Sequence, residues 1–228
     1  WKYNVKRFLF LGSSCIYPKF AHQPIKEDFL LDGILESTNE PYAIAKIAGI
    51  KLCEALRLQY GFDAISLMPT NLYGPGDNYA DLDSHVMASL IKKFSLAVKN
   101  SSKEVICWGT GKPFREFMHV DDLGEAVVYV LENWDPNNSI SPKNDLGKSL
   151  TYLNVGNGKD ISIFELANKI SNIAQFKGKI IWDNSKPDGV SKKLLNIERI
   201  ISLGWTPKIP LDIGIKKTIN DYQKYLNN

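Results

Sequence analysis

"VKRFLFLGSSC", residues 5–15, sets the terms of the fold. Its first eight residues are an apolar run of the length expected for a buried strand. The run hands over at Gly12 to Ser13, Ser14 and Cys15. In open α/β sheets ligands lie in the crevice beyond the carboxyl ends of the strands, so small polar residues there stand where chemistry is done. Two readings of Cys15 stand side by side on the residues alone: a reagent, or a small apolar side chain filling a core, the usual fate of a free cysteine.

Outward from this stretch, helices and strands alternate. "NEPYAIAKIAGIKLCEALRLQYG" (39–61) has Asn39 at a cap position, Pro41 in the first turn and Gly61 as a stop, which predicts a long helix. "DAISLMP" (63–69) reads as a second strand and again delivers polar residues at its end, in "TNLYGPGDN". A helix is expected over 84–99 and a short strand over 104–109. Within 115–134 a strand precedes a helix capped by Asp121 or Asp122. Residues 135–150 are rich in Asn, Ser and Pro and read as a loop. Beyond it come "TYLNVG" (151–156), a helix over 162–175, "KIIW" (179–182) and a last helix near 211–226. This alternation predicts an α/β fold on a parallel sheet.

Composition excludes several classes of function. The chain has 228 residues and a formal net charge of +3, with 44% hydrophobic and 23% charged residues, the balance of an ordinary globular protein. Its charges are dispersed and no basic run is interleaved with aromatics, so a nucleic acid is not the expected partner. No apolar run approaches the ~20 residues of a membrane helix, and nothing resembles a signal peptide. Cys15, Cys53 and Cys107 form no CxxC pair, which argues against a disulfide framework or a metal site. A cytoplasmic setting follows as the expectation.

Tyr42 and Lys46 lie four residues apart in the long helix, on one face and one turn apart. A phenol ordinarily titrates near ~10, and a neighbouring ammonium favours its ionised form. Such a tyrosine can pass a proton to a carbonyl oxygen while hydride reaches the carbon, and a strand-end serine can hold the same oxygen. YxxxK alone is common by chance, but here it follows a strand ending in Ser-Ser.

With that context the chain resembles the short-chain dehydrogenase/reductase family in its extended, nucleotide-sugar branch. "GSSCIYP", "TNEPYAIAKIAGIKLCE", "MPTNLYGPGDN", "SHVMASLIKKF", "WGTGKPFREFMHVDD", "NVGNG" and "SKPDG" occur in that order. Together they resemble the epimerase-reductases of GDP-4-keto-6-deoxy-mannose, over nearly the whole chain and least at 135–150. The resemblance implies a Rossmann-like sheet with a smaller C-terminal α/β lobe. Residues 1–72 would belong to the NADP-binding domain, and 73–228 mainly to a substrate lobe, with about 115–155 returning to the first domain.

The reaction so implied inverts the two carbons flanking a C4 ketone and then reduces the ketone with hydride from NADP(H). It therefore needs an acid/base pair besides the Ser13, Tyr42 and Lys46 set, and the resemblance assigns that pair to Cys15 and His85. A free thiol near ~8.5 and an imidazole near ~6.5 straddle neutral pH, which suits proton traffic in both directions. Strand alternation would place Ser13 and Cys15 on one side if the extended geometry persists. For His85 the competing reading is a solvated residue at a helix start. The resemblance further places the cofactor along Leu11, Gly12, Ser13 and Ser14, along Pro69, Thr70, Asn71 and Leu72, and against Tyr42, Lys46 and His85. Lys93, Trp108, Arg115 and Asp188 would meet the GDP-sugar, and no metal is expected. Arg115 offers the planar fork that suits diphosphate oxygens.

Three further expectations follow. His22 reads as exposed, and His119, Cys53 and Cys107 read as core or supporting residues. Relatives of this kind open with a strand and a G-x-x-G-x-x-G turn, which is absent from this sequence. The resemblance therefore places that segment before Trp1, and it implies a sheet with an exposed apolar edge, with weak or no cofactor binding and weak or no activity for this chain alone. A homodimer through the Tyr42 helix is expected. Rival readings are a sugar-nucleotide 4-epimerase, which needs no Cys/His pair; a 4,6-dehydratase, which carries an acidic pair where Ser14 and Cys15 stand; and a non-catalytic module keeping only the GDP-sugar lobe.

Overall fold

The apolar run becomes β1 (Arg7–Leu11) in a computed structural model that describes residues 1–80 and 84–227. Helix α1 (Glu40–Tyr60) carries the chain back to β2 (Asp63–Pro69), which pairs parallel with β1 from Arg7↔Asp63 to Leu11↔Leu67. Gly61 ends α1 in the left-handed region (φ 64°), and its N–H donates to the Arg57 carbonyl. The Arg57 guanidinium then holds Asp63 at 2.6 Å, which sets the start of β2. Asn39 stands at the cap position as expected, but its side chain makes no capping bond.

The chain continues through β3 (Asn71–Tyr73), α2 (Val86–Lys99), β4 (Glu104–Trp108), β5 (Phe114–His119) and α3 (Val120–Asn133). After the 135–150 loop come β6 (Tyr152–Val155), β7 (Asp160–Ser162), α4 (Ile163–Ile173), β8 (Lys179–Asp183), β9 (Lys192–Lys193), α5 (Glu198–Ser202) and α6 (Leu211–Asn227). Strands β1, β2 and β6 form one parallel sheet, with β1 at its edge and Phe8 and Leu11 exposed there. Strand β5 is the hub of a second sheet, parallel to β3 and β9 but antiparallel to β7. Strands β4 and β8 make a separate parallel pair.

Two apolar cores result. One lies between the β1–β2–β6 sheet and its helices, with Ile50, Leu67, Leu153, Trp134 and Trp205 buried. The other lies among α2, α4 and α6, with Phe94, Ile91, Leu166, Ile170 and Tyr222 buried. Among the described residues no helix is long and apolar enough to cross a membrane.

Helix α1 sits close on β1 because residue 49 has no side chain: a Cβ there would overlap the Phe10 ring. Overpacking of this kind costs about 1–3 kcal/mol, and the helix propensity valine gains over glycine, about 0.3 kcal/mol, offsets little of it. At 2–4 °C per kcal/mol for a chain of this size, Gly49→Val should lower the melting temperature by roughly 2–12 °C in a thermal unfolding scan. An unchanged transition would mean that Phe10 yields freely.

One expected cap is corrected. Neither Asp121 nor Asp122 caps α3; the cap is His119, whose Nδ1 accepts the Asp121 N–H at 3.2 Å. Accepting there requires a neutral ring with its proton on Nε2. Burial, opposed by nearby Asp121, depresses the pKa of His119 and keeps the ring neutral. Asp121 Oδ2 lies 3.4 Å from His119 Nδ1 and 3.6 Å from Lys217 Nζ, and Asp122, buried, accepts the backbone N–H groups of Lys208 and Ile209. The antiparallel β7 also departs from an all-parallel expectation.

Candidate active site

The backbone leaves β1 at Leu11 and turns tightly. Ser13 is extended (φ −164°, ψ 151°), and residues 14–16 then form one 3-10 turn. The Ser13 hydroxyl oxygen accepts the Cys15 N–H at 3.1 Å. The extended geometry therefore does not persist to Cys15, and the alternation expected to align Ser13 with Cys15 is replaced by a capped turn. Ser14 is buried, whereas Ser13 and Cys15 remain partly open.

Helix α1 packs against that turn and brings Lys46 to the strand end. Its Nζ donates to the Leu11 carbonyl at 2.8 Å and lies 5.2 Å from the Phe10 ring centre and 5.8 Å from that of Tyr42. Tyr42 is 48% exposed, so its ring is open to a ligand. The exit of β2 is held differently. Thr70 N–H donates to Val155 O at 3.1 Å, while the Thr70 hydroxyl and the Asn71 amide both donate to Glu116 O, at 3.2 and 2.8 Å. Pro69 and Leu72 flank them, and the side chains of Thr70 and Asn71 are spent on β5.

Cys15 opens into a cleft of about 490 Å³ that also takes in Arg115 and Asp188. Lys193, on β9, brings its Nζ to 3.5 Å from the Cys15 Sγ. The Arg115 Nη1 donates to Val190 O at 2.5 Å and Phe114 O at 2.8 Å, and burial lowers its pKa. Its guanidinium runs along Gly189, where a Cβ would come within 2.9 Å of Nη2. Lys19 and Glu36, paired at 3.1 Å, close another part of the wall. Sequence reasoning missed Lys193, Lys19 and Glu36; Lys193 sits in a two-residue strand whose partner is 78 positions away in sequence, beyond any local pattern.

Lys93 and Trp108 meet in a second cleft of about 380 Å³ with Trp182, Leu90 and the edge of Cys107. The Lys93 Nζ donates to Ile106 O at 2.9 Å and lies 5.2 Å over the Trp108 ring. Trp108 is 62% exposed and so is not a core tryptophan. The neighbouring Lys92 instead reaches Tyr79 O at 2.7 Å. The four residues expected to meet a GDP-sugar thus fall into two clefts, Arg115 and Asp188 beside Cys15, Lys93 and Trp108 apart from them.

His85 is exposed at the cap position of α2, near Asp77, and is not among the residues lining the Cys15 cleft. His22 is exposed; His119, Cys53 and Cys107 are buried. Burial raises the pKa values of Cys53 and Cys107 and keeps both thiols protonated. Of the three cysteines only Cys15 lines the cleft, together with Lys19, Arg115, Lys192 and Lys193.

Comparison with known proteins adds a lineage to this geometry. Residues 1–141 match the model of the NAD dependent epimerase/dehydratase family. GDP-L-fucose synthase 1 of Arabidopsis thaliana is 49% identical over 228 residues, covering 100% of the chain and 67% of that protein. GDP-L-fucose synthase of Escherichia coli (strain K12) is 48% identical over 229 residues, covering 99% of the chain and 68% of that protein. A crystal structure of a GDP-L-fucose synthetase from Naegleria fowleri bound to NADP superposes with a TM-score of 0.85 at 26% identity, over 100% of this chain and 69% of that one. With a rice relative included, the chain spans between 64% and 68% of the length of these curated relatives.

Proposed function

Because this chain belongs to the NAD dependent epimerase/dehydratase family, in its GDP-L-fucose synthase branch, we propose that its site converts GDP-4-keto-6-deoxy-D-mannose to GDP-L-fucose by 3,5-epimerisation and NADPH-dependent reduction at C4. One observation carries the reading. An open phenol beside a lysine at the end of β1 adjoins, within four residues of Leu11, a thiol facing a cleft with a partly buried arginine. The first half suits a ketone being reduced, and the second suits a proton being moved beside a diphosphate that an arginine can hold.

The chain's residues fit the nicotinamide end of the cofactor. The carboxyl ends of β1 and β2 lie side by side in register, and Lys46 already meets backbone oxygen there. Leu11, Gly12, Ser13 and Ser14 would border it from one strand and Pro69, Thr70, Asn71 and Leu72 from the other, through main chain where side chains are engaged. NADPH, when bound, supplies the hydride. Tyr42 holds a proton for the C4 oxygen, with the Lys46 ammonium 5.8 Å from its ring centre, and Ser13 hydrogen-bonds the same oxygen. Cys15 and His85 exchange protons with the carbons flanking the ketone, and this role for His85 requires the helix start at 85 to approach the cleft when substrate binds. Arg115 takes diphosphate oxygen, while Lys93 and Trp108 take the nucleoside side. The two apolar cores support a division near residue 72 with a return to the first unit after β5. The first core also takes Leu195, Ile197, Ile200 and Trp205, so that unit reaches beyond 1–72 and 115–155. Exposed Ile44 and Leu52 on α1 support a homodimer through that helix, and three unpaired thiols suit the cytoplasm.

In deuterated water with GDP-4-keto-6-deoxy-mannose and NADPH, the full-length protein should incorporate deuterium at C3 and C5 while consuming NADPH. Tyr42→Phe should slow NADPH consumption by roughly 10²-fold or more, the usual weight of a general acid, and leave the exchange running. Oxidation of NADPH without exchange at either carbon would refute the epimerase reading.

A further inference from the structure

Glu116 is fully buried on β5, between Arg115, which lines the Cys15 cleft, and Phe117 in the second core. Its carboxylate is met by main-chain N–H groups rather than by a cation. Oε1 accepts the Gly158 N–H at 2.7 Å and Oε2 the Leu195 N–H at 3.0 Å. Burial pushes its pKa up, against these bonds. Residue 156 has no side chain where the carboxylate passes, and a Cβ there would overlap Oε1. A buried carboxyl group is costly unless its hydrogen bonds are made, so those two N–H groups define its place.

What the carboxylate holds is β9. That strand has only Lys192 and Lys193, paired with Phe114 and Arg115. Arg115 and Lys193, two cations of the Cys15 cleft, are thus register partners, and Lys193 Nζ lies 3.5 Å from the Cys15 Sγ. Strands are usually about five or six residues long, and a two-residue pairing has few ladder bonds to fix its own place. Two further bonds bracket it. Phe114 N–H donates to Ser191 O at 2.8 Å before the pair, and Leu195 N–H donates to Glu116 after it. The Glu116 carbonyl meanwhile accepts the Thr70 hydroxyl and the Asn71 amide, just past the end of β2. One residue therefore ties the wall of the Cys15 cleft to the strand end proposed to border the cofactor.

We propose that Glu116 is a positioning residue: its carboxylate fixes β9 against β5 and so holds the Arg115–Lys193 pair in register beside Cys15. Being fully buried, it acts through that pair and not on a ligand. The inference rests on the GDP-sugar reading for what the pair meets, but not for the tie itself.

Hydrogen exchange and kinetics test it. In the parent protein the Leu195 amide should be protected, and exchange there at the rate of an open chain would overturn the tie without any variant. Glu116→Gln turns one acceptor oxygen into an NH2 group facing an N–H. It should speed exchange over 192–197 about tenfold or more, the scale of one hydrogen bond to a charged group. Gly156→Ala should do the same by displacing an intact carboxylate, and it serves if Glu116→Gln does not fold. In the full-length protein both variants should raise the KM for the GDP-sugar about tenfold. The KM for NADPH should stay nearly unchanged, since both keep the Glu116 carbonyl. Mere loss of folded protein would lower the rate at saturating substrate and move neither KM. Unchanged exchange over 192–197 would overturn the tie, and faster exchange with an unmoved GDP-sugar KM would overturn the positioning role. If the parent full-length protein does not turn over the GDP-sugar, that reading falls, and the exchange measurement still decides the tie.

Discussion

Cys15→Ser should cut solvent deuterium exchange at C3, C5 or both by about 10²–10⁴-fold, the range that one positioned acid or base contributes. Serine is close in size, and residue 15 lies in a partly open turn whose capping bond is to its backbone N–H rather than its side chain. The substitution should therefore leave the melting temperature nearly unchanged and act on chemistry alone. A hydroxyl neither gives up nor takes a proton near neutral pH as a thiol does, which is the physical reason for the loss. Reduction should survive for a ketone supplied already inverted at both carbons, because Tyr42 and Lys46 are untouched. Mass spectrometry of the sugar, read alongside NADPH absorbance, separates the two activities. Exchange at the parent rate would remove Cys15 from the epimerisation and return it to the packing role the sequence left open.

Much of this site was legible in order along the chain. The run ending in Ser-Ser-Cys and the Tyr42–Lys46 spacing are local patterns, and periodicity alone places them at a strand end and on a helix face. The long elements appear within one or two residues of expectation for the same reason. What stayed hidden depends on contacts distant in sequence. Strand β9 has two residues and derives its existence from β5, so Lys193 carried no signal that it would reach Cys15. His119 reads as core, but its capping of α3 follows from the backbone path at the end of β5, and two acidic neighbours made the wrong cap attractive. Asp188, in "SKPDG", is expected only as a contact to the GDP-sugar; the fold alone brings Thr110 to it. The separation of Lys93 and Trp108 from Arg115 is likewise a property of the second core and not of any motif.

Arg199→Met should cost the fold about 3–5 kcal/mol at neutral pH, the usual penalty for leaving one partner of a buried ion pair alone. Arg199 Nη1 lies 2.7 Å from Glu27, whose side chain is 0% exposed, and its guanidinium also meets Asp28 and Asp145. Glu27 Oε1 accepts the N–H of Asn154 at 2.9 Å, and Asn154, itself fully buried, accepts the Tyr17 hydroxyl at 2.6 Å. This network ties the loop after Cys15 to β6 and α5, so its loss reaches the cleft wall. At 2–4 °C per kcal/mol for a chain of this size, the melting temperature should fall by roughly 6–20 °C. The deficit should depend on pH with a definite sign. Burial raises the Glu27 pKa above its unfolded value even with Arg199 present, so the folded state binds the proton more readily and stability falls as pH rises through that window. Removing Arg199 raises the folded value further and deepens the loss above it. Asp28 acts in the same direction: burial opposes, but the Asp145 amide and Arg199 hold its carboxyl below the ordinary range. The stability this lends is present above the unfolded value and lost as pH falls, so the variant forfeits it chiefly at neutral pH. Thermal scans should therefore show a smaller gap between variant and parent near about pH 4.5 than near about pH 7.5, around the ordinary carboxylate range. Glu27→Gln combined with Arg199→Met should recover part of the loss, since the uncompensated charge is gone. A gap of equal size at both pH values, with no recovery in the double variant, would mean that Arg199 acts by packing its stem and not by neutralising Glu27.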